Sequence, residues 1–366
     1  MIEYYKSVGG ERDSTLDCIK GYGICLMVCG HSGFPYRDWI YLFHMALFFI
    51  ASGYMWNETH AETISSLGQY IKKKIRAYYI PFVTINLFFI LTFNLFFRMG
   101  IYSDCNIEGI IPVCSLRKME FIKALLKVFI FSGGSQLAGA TWFLRTLFCI
   151  TISNAAVTVV FNRLHLNKVC IYCMLLVSGL GAALVNSNYL FIGDIFEKIG
   201  LRAYFAGYFA YMLGILIKKS RVIEKIKVEN SNWMLVSIVL LCIINGIGKI
   251  ELNVGYIENI VFYTIASLAG WFLIRALASS TLKINSFLSY VGRKSIWILG
   301  LHFLCFKLVS IVWIRITGIQ MVYLAEYPVI KEPCFLWLAY LVVGVLLPLF
   351  IEMLYRKMYY SIIKKS

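Results

Sequence analysis

"LDCIKGYGICLMVCGHSGF", Leu16 to Phe34, reads as a membrane-spanning helix that carries Asp17, Lys20 and His31 among apolar and small residues. Its length suits that reading, because a helix needs about 20 mostly apolar residues to cross roughly 30 Å of hydrocarbon. The remainder of the chain has the same character. Hydrophobic residues make up 60% of the 366 and charged residues only 15%, with a mean hydropathy of +0.74. No water-soluble core holds so much apolar surface. The expected class is therefore an all-α, polytopic integral membrane protein. About ten transmembrane helices can be drawn at that length, near 17–34, 40–57, 77–97, 141–161, 168–187, 203–217, 232–248, 257–277, 295–314 and 335–355.

Charge orients the drawing. With the N-terminus inside, 22 of the Lys and Arg residues fall in cytoplasmic segments and 11 outside, which is the bias that membrane insertion imposes. The inner groups are Lys6, Arg12 and Lys20; Lys72 to Arg76; Arg163 and Lys168; Lys218 to Lys227; Arg275 to Lys294; and Arg356 to Lys365. Both termini are expected in the cytoplasm. The formal net charge of +16 follows from this bias and from anionic lipid headgroups, so no nucleic-acid partner is needed to account for it. The first residues are polar and mixed in charge rather than a short basic region before an apolar one, so the first span is expected to be retained.

The chain reads as one domain over 1–366, without a linker or a fused soluble domain. Its longest non-spanning stretch, 98–140, contains an amphipathic piece and a glycine-rich turn, and is expected to be extracytoplasmic or re-entrant. Most of the 11 cysteines lie inside apolar spans, where a thiol behaves as a small hydrophobe. Cys170 and Cys173 form a lone CxxC with no second pair, which gives little reason to expect a metal. G-x-S-x-G, P-loop and H-E-x-x-H signatures are missing, as are clustered carboxylates.

Chemistry is left to histidines and basic residues. Lys20 and His31 are eleven apart, which puts them on one helix face with a rise of about 16 Å between them. Asp17 lies one turn before Lys20, so this helix presents a charged mouth and a deeper imidazole, as the lining of a passage for a polar molecule would. His31, His44, Arg145, His302 and Lys307 all stand at span positions, where ionisable groups are costly and usually face the bundle interior. A neutral imidazole at depth can take a proton. Lys72 and Arg76 share a face, as a cytoplasmic anchor or as a site for an anionic ligand. Arg145 either snorkels to the interface or clamps substrate charge. Trp142 beside it, with His44 and His302, completes the substrate-side candidates, bridging between helices being the other reading of those two histidines.

Taken in order, "RDSTLDCIKGYGICLMVCGH", "FHMALFFIASGYMW", "KKKIRAYYIPF", "TWFLRTLF" and "VGRKSIWILGLHFL" resemble the acyltransferase 3 family of membrane O-acyltransferases, in particular its fucose-4-O-acetylase-like branch. Lys20 and His31 fit the family's basic residue, ten-residue gap and histidine, and Lys72 and Arg76 its paired basic motif. Ala46, Lys72 and the loose "IWILGLH" depart from the usual pattern. The resemblance implies transfer of an acyl group, most simply acetyl from acetyl-CoA, to a hydroxyl of a cell-surface polysaccharide or its lipid-linked precursor. It also implies a bacterial inner membrane. His31 would be the base or would carry the acyl group, with Lys20 and Asp17 beside it. Lys72, Arg76 and Arg145 would hold the donor, and His44, Trp142 and His302 the acceptor, with no metal. Whether the chain homo-oligomerises is left open. The rival class is a flippase or exporter of a polar glycolipid precursor, which would use a similar cavity without covalent chemistry.

Overall fold

Asp13 starts the first helix by accepting hydrogen bonds from the backbone N–H groups of Thr15 and Leu16 (2.9 and 3.2 Å), which satisfies two donors that a helix start leaves open. In the computed structural model of the chain, which describes residues 13–186, 195, 201–221, 231–252, 255–331 and 334–363, that helix, α1, runs Ser14–His31. Among the described residues the fold is all-α apart from a two-stranded ribbon, β1 (Ile250–Glu251) paired antiparallel with β2 (Tyr256–Ile257). Lys6, Arg12, the basic residues from 222 to 227 and Lys364 and Lys365 lie outside the described residues.

The second expected span is not one rod. Residues Arg37–Tyr41 form a short helix, α2, the chain turns at Leu42 and Phe43, and α3 covers His44–Tyr54. A helix of 11 residues is only about 16 Å long, too short to cross on its own. The third element is longer than expected. Helix α4 (Ile64–Lys74) passes through one wide π turn at Ile75–Tyr79 into α5 (Ile80–Leu91). Pro81, two residues past the end of that turn, has no N–H to close a normal bond to residue 77, which accounts for the irregular winding. Helix α6 (Phe93–Arg98) then ends this arm.

The remaining helices are α7 (Lys118–Phe129), α8 (Trp142–Arg163), α9 (Asn167–Asn186), α10 (Tyr204–Ser220), α11 (Ser231–Ile247), α12 (Ile260–Ser279), α13 (Ile284–Arg293), α14 (Ser295–Thr317) and α15 (Trp337–Ile363). Among the described residues, five stretches are long and apolar enough to cross a membrane: Ile64–Leu91, Gln136–Arg163, Ile260–Ser279, Ser295–Thr317 and Trp337–Ser361. Two shorter apolar helices, Val169–Val185 and Asn232–Ile247, accompany them. Helices α1 and α10 are less apolar because they carry Asp17, Lys20 and His31, and Lys218 and Lys219, respectively.

Glycines let backbones touch. A methyl group on Gly21 would collide with the Leu288 carbonyl, and one on Gly292 with the Asp17 carbonyl, so α1 and α13 lie in direct main-chain contact. Helices α3 and α10 do the same through Gly53 against Tyr211 and Gly214 against Ile50. Small residues at such contacts are how helices associate in lipid, where apolar side chains gain nothing from leaving water.

The stretch 98–140 is folded against the bundle. Asn94 brackets Leu116 with two hydrogen bonds, its amide donating to the Leu116 carbonyl (2.9 Å) and its oxygen accepting from the Leu116 N–H (2.8 Å). Tyr79 donates to the carbonyl of Phe129 at the end of α7 (2.7 Å), and the Phe131 ring meets Phe82 edge-on at 4.5 Å. A second loop, between α14 and α15, joins it. Ile110 bridges Glu326, and the Tyr327 N–H donates to the Gly109 carbonyl (2.9 Å).

Replacing Gly292 or Gly53 with Ala should cost about 1–3 kcal/mol through overpacking. Thermal unfolding of the detergent-solubilised protein should show both variants melting below wild type, and Gly68→Ala, where a methyl meets nothing, melting with it.

Candidate active site

Three histidines gather where α1 ends. His31 is its last residue, and its ring stacks on that of His302, 5.6 Å between centroids and 23° between planes. Phe303 lies 5.0 Å from His31 and 4.0 Å from His302. On the other side, Tyr41 at the end of α2 lies 6.1 Å from His31 and 5.2 Å from His44. The break between α2 and α3 thus has a local purpose, since it sets Tyr41 and His44 against the same imidazole.

Helix carbonyls set the protons of the two outer rings. His44 Nδ1 is 3.0 Å from the Ile40 carbonyl, and His302 Nδ1 is 2.9 and 3.1 Å from those of Ile298 and Leu299. A carbonyl only accepts, so each Nδ1 carries the proton and each Nε2 keeps its lone pair. His302 is fully buried, and among the described residues its Nε2 has no hydrogen-bond partner. Tyr41 Oη stands 3.3 Å from His31 Nδ1 and 3.0 Å from the Gly30 carbonyl.

A cavity of about 20 Å³ opens between these rings, walled by His31, Tyr41, His44, Met27, Met45, Phe48, Ala140, Trp142, Phe143, Leu252 and Leu299. That is room for about one water molecule. The sequence suggests the lining of a passage for a polar molecule from Lys20 to His31; the cavity at His31 is narrow and mostly apolar because methionine and phenylalanine side chains fill it.

Sequence-selected residues fall into two groups. His31, His44 and Trp142 line this cavity, with His302 stacked behind His31. Lys20 and Asp17 do not reach it. Their charged groups are 4.0 Å apart, and Lys20 Nζ is also 3.6 Å from the Met55 sulfur, eleven residues or about 16 Å back along α1. Lys72 and Arg76 share an exposed face, and Arg145, half-buried, is not part of the cavity wall.

Two functional-looking features escape the sequence reading. Lys74 turns inward instead of Lys72, with its ammonium 4.9 Å from the Tyr70 ring centre and 5.1 Å from that of Tyr78; the Tyr70, Lys74, Tyr78 spacing of four was the available signal. Tyr41 is the other. Lys307, the remaining span cation, is buried and donates to the backbone carbonyls of Leu324 and Glu326 (3.0 and 2.6 Å). It anchors the loop between α14 and α15. That loop carries Tyr327, whose ring is 5.0 Å from Phe303. Burial pushes the Tyr327 phenol up and raises the Glu326 carboxyl, the latter opposed by Lys331 and Lys307. Cys170 is buried against Met174 while Cys173 is exposed, and among the described residues no group of three or more His, Cys, Asp or Glu is placed to hold a metal.

A histidine cluster over a cavity fits group transfer, and comparison with known families agrees. The sequence model of the family described as an acyltransferase domain matches residues 13–353. The chain belongs to the acyltransferase 3 family. It is thus a multi-pass membrane acyltransferase, and the match covers every helix that builds the site. No curated protein and no solved structure matches the chain.

Removing the Lys307 ammonium leaves two buried carbonyls unpaired, at about 1–3 kcal/mol each. Lys307→Met should therefore loosen the loop between α14 and α15, seen as several-fold faster limited proteolysis within residues 319–331 while α1 and α14 stay protected.

Proposed function

We propose that this acyltransferase moves an acyl group, most simply acetyl, from acyl-CoA to a hydroxyl of a cell-surface polysaccharide or its lipid-linked precursor, in the manner of the fucose-4-O-acetylase-like branch. The observation that carries the reading is the His31 imidazole at the end of α1, stacked on His302 and open to a cavity lined by Trp142 and His44. A thioester is already activated. What remains is to position the two reactants, remove the hydroxyl proton and stabilise the oxyanion.

In this reading His31 takes the proton from the acceptor hydroxyl, or accepts the acyl group and passes it on. His302 and His44 orient the reactants. The ten spans and cytoplasmic termini drawn from charge place Lys74, Lys72 and Arg76 at the cytoplasmic mouth, where cations beside a low-dielectric wall suit the phosphates of the donor. Helix α1 then carries its imidazole about 26 Å from Ser14, toward the outer face. The donor's acyl arm reaches it from within and the sugar from outside. The small cavity implies that the donor arm parts Met27, Met45 and Phe48, all flexible or rotatable side chains. In a bacterial cell this places the reaction at the inner membrane.

The test is transfer of labelled acetyl from acetyl-CoA to a glycan extract by protein reconstituted in vesicles. His31→Ala should lower transfer by about 10²-fold or more, and Lys74→Met should raise the KM for acetyl-CoA with a smaller change in kcat. Normal transfer by His31→Ala at matched protein level would overturn the assignment. Passage of unmodified lipid-linked sugar across the vesicle membrane, with no transfer, would make the chain a carrier.

A further inference from the structure

Gly30 precedes the candidate base, and its place is taken up by a ring. A methyl group there would collide with Cε1 of Tyr41, so the bare Cα forms a notch in which the phenol lies against the last turn of α1. The fit brings Oη to 3.0 Å from the Gly30 carbonyl and 3.3 Å from His31 Nδ1.

Gly30 is buried and belongs to the last turn of α1, whose carbonyls have no partner further along the helix. Among the described residues, the Tyr41 hydroxyl is the donor that reaches its carbonyl. A phenol has one proton. Given to the Gly30 carbonyl, which can only accept, that proton leaves the Oη lone pairs facing His31 Nδ1, and the contact is a hydrogen bond only if Nδ1 carries a hydrogen. The opposite arrangement, with the phenol donating to Nδ1, strands a buried carbonyl at a cost of about 1–3 kcal/mol.

We propose that Tyr41 is a positioning residue that holds His31 in the Nδ1–H tautomer, so that Nε2 presents its lone pair to the reactants. The geometry gives His31 what backbone carbonyls give His44 and His302: all three rings donate through Nδ1, and all three keep Nε2 unprotonated. His31 cannot use the same device, because its contacts run to a side chain. Tyr41 supplies the third group that orients a base through its far nitrogen. The catalytic part of this inference rests on His31 being the base or the acyl carrier, since either role needs the Nε2 lone pair; the tautomer itself does not.

The experiment uses the full chain in detergent, labelled with ¹⁵N-histidine, and long-range ¹H–¹⁵N spectra that separate protonated from unprotonated ring nitrogens. The His31 signals are assigned by their loss in His31→Ala. Wild type should show His31 with Nδ1 protonated and Nε2 bare, and Tyr41→Phe, which keeps the ring in its notch, should move His31 to the Nε2–H form or a mixture. In the transfer assay Tyr41→Phe should lose roughly tenfold to a hundredfold in kcat with the KM for acetyl-CoA within twofold of wild type. An Nε2–H His31 in wild type, or an unchanged tautomer in Tyr41→Phe, would overturn the proposal. The spectra decide this without any turnover, so failure of acyl transfer and failure of the tautomer assignment are separate results.

Discussion

Close main-chain approach is the constraint from which this bundle follows. In hydrocarbon, apolar side chains have nothing to gain by meeting, so helices stay together where their backbones come near enough for dense van der Waals contact. Gly21 and Gly292 bring α1 against α13, and Gly53 and Gly214 bring α3 against α10. These two seams fix the helices that carry His31 and His44. The same economy of bulk operates once more at Gly30, where the missing side chain admits a tyrosine ring instead of a neighbouring helix.

A second constraint acts on polar groups inside the bundle, since lipid offers them no partner and the protein itself must supply one. Lys307 shows it plainly: its ammonium binds two loop carbonyls, so a charge at span depth serves architecture. Asn86, fully buried, donates to the Phe82 carbonyl and to Thr141 (2.9 and 3.0 Å) and ties α5 to the turn before α8. Against that background the histidines stand apart. His44 and His302 each set Nδ1 against a helix carbonyl, and Nε2 of His302 has no hydrogen-bond partner among the described residues.

Much of this was legible in the residues. Apolar runs mark α12 and α14 near the expected limits, whereas α15 continues eight residues past its expected end and α13 lies where no helix was drawn, because an amphipathic helix has no long apolar run. The eleven-residue interval between Lys20 and His31 picks out an imidazole that the structure sets in the cavity wall. Hydropathy fails where a span is interrupted by equally apolar residues, as at Leu42 and Phe43, because it measures composition and not winding. It overstated the link between Lys20 and His31: a common helix face does not make a common site when about 16 Å of rise separates them. Lys72 and Arg76 share a face as expected, but only contact with Tyr70 and Tyr78 could show that the inward cation is Lys74. Tyr41 was invisible for a related reason, since its partner lies across a turn whose path no periodicity describes.

The pairing of the two long loops has a mechanical consequence. The Ile110–Glu326 bridge and the Tyr327–Gly109 bond weld two segments more than 200 residues apart into one plate, and the Lys307 ammonium bolts that plate to α14. Tyr327 rides on it, 5.0 Å from Phe303, and Phe303 is 5.0 Å from His31. The plate therefore touches the imidazole by relay, through two successive ring contacts by way of Phe303 on α14.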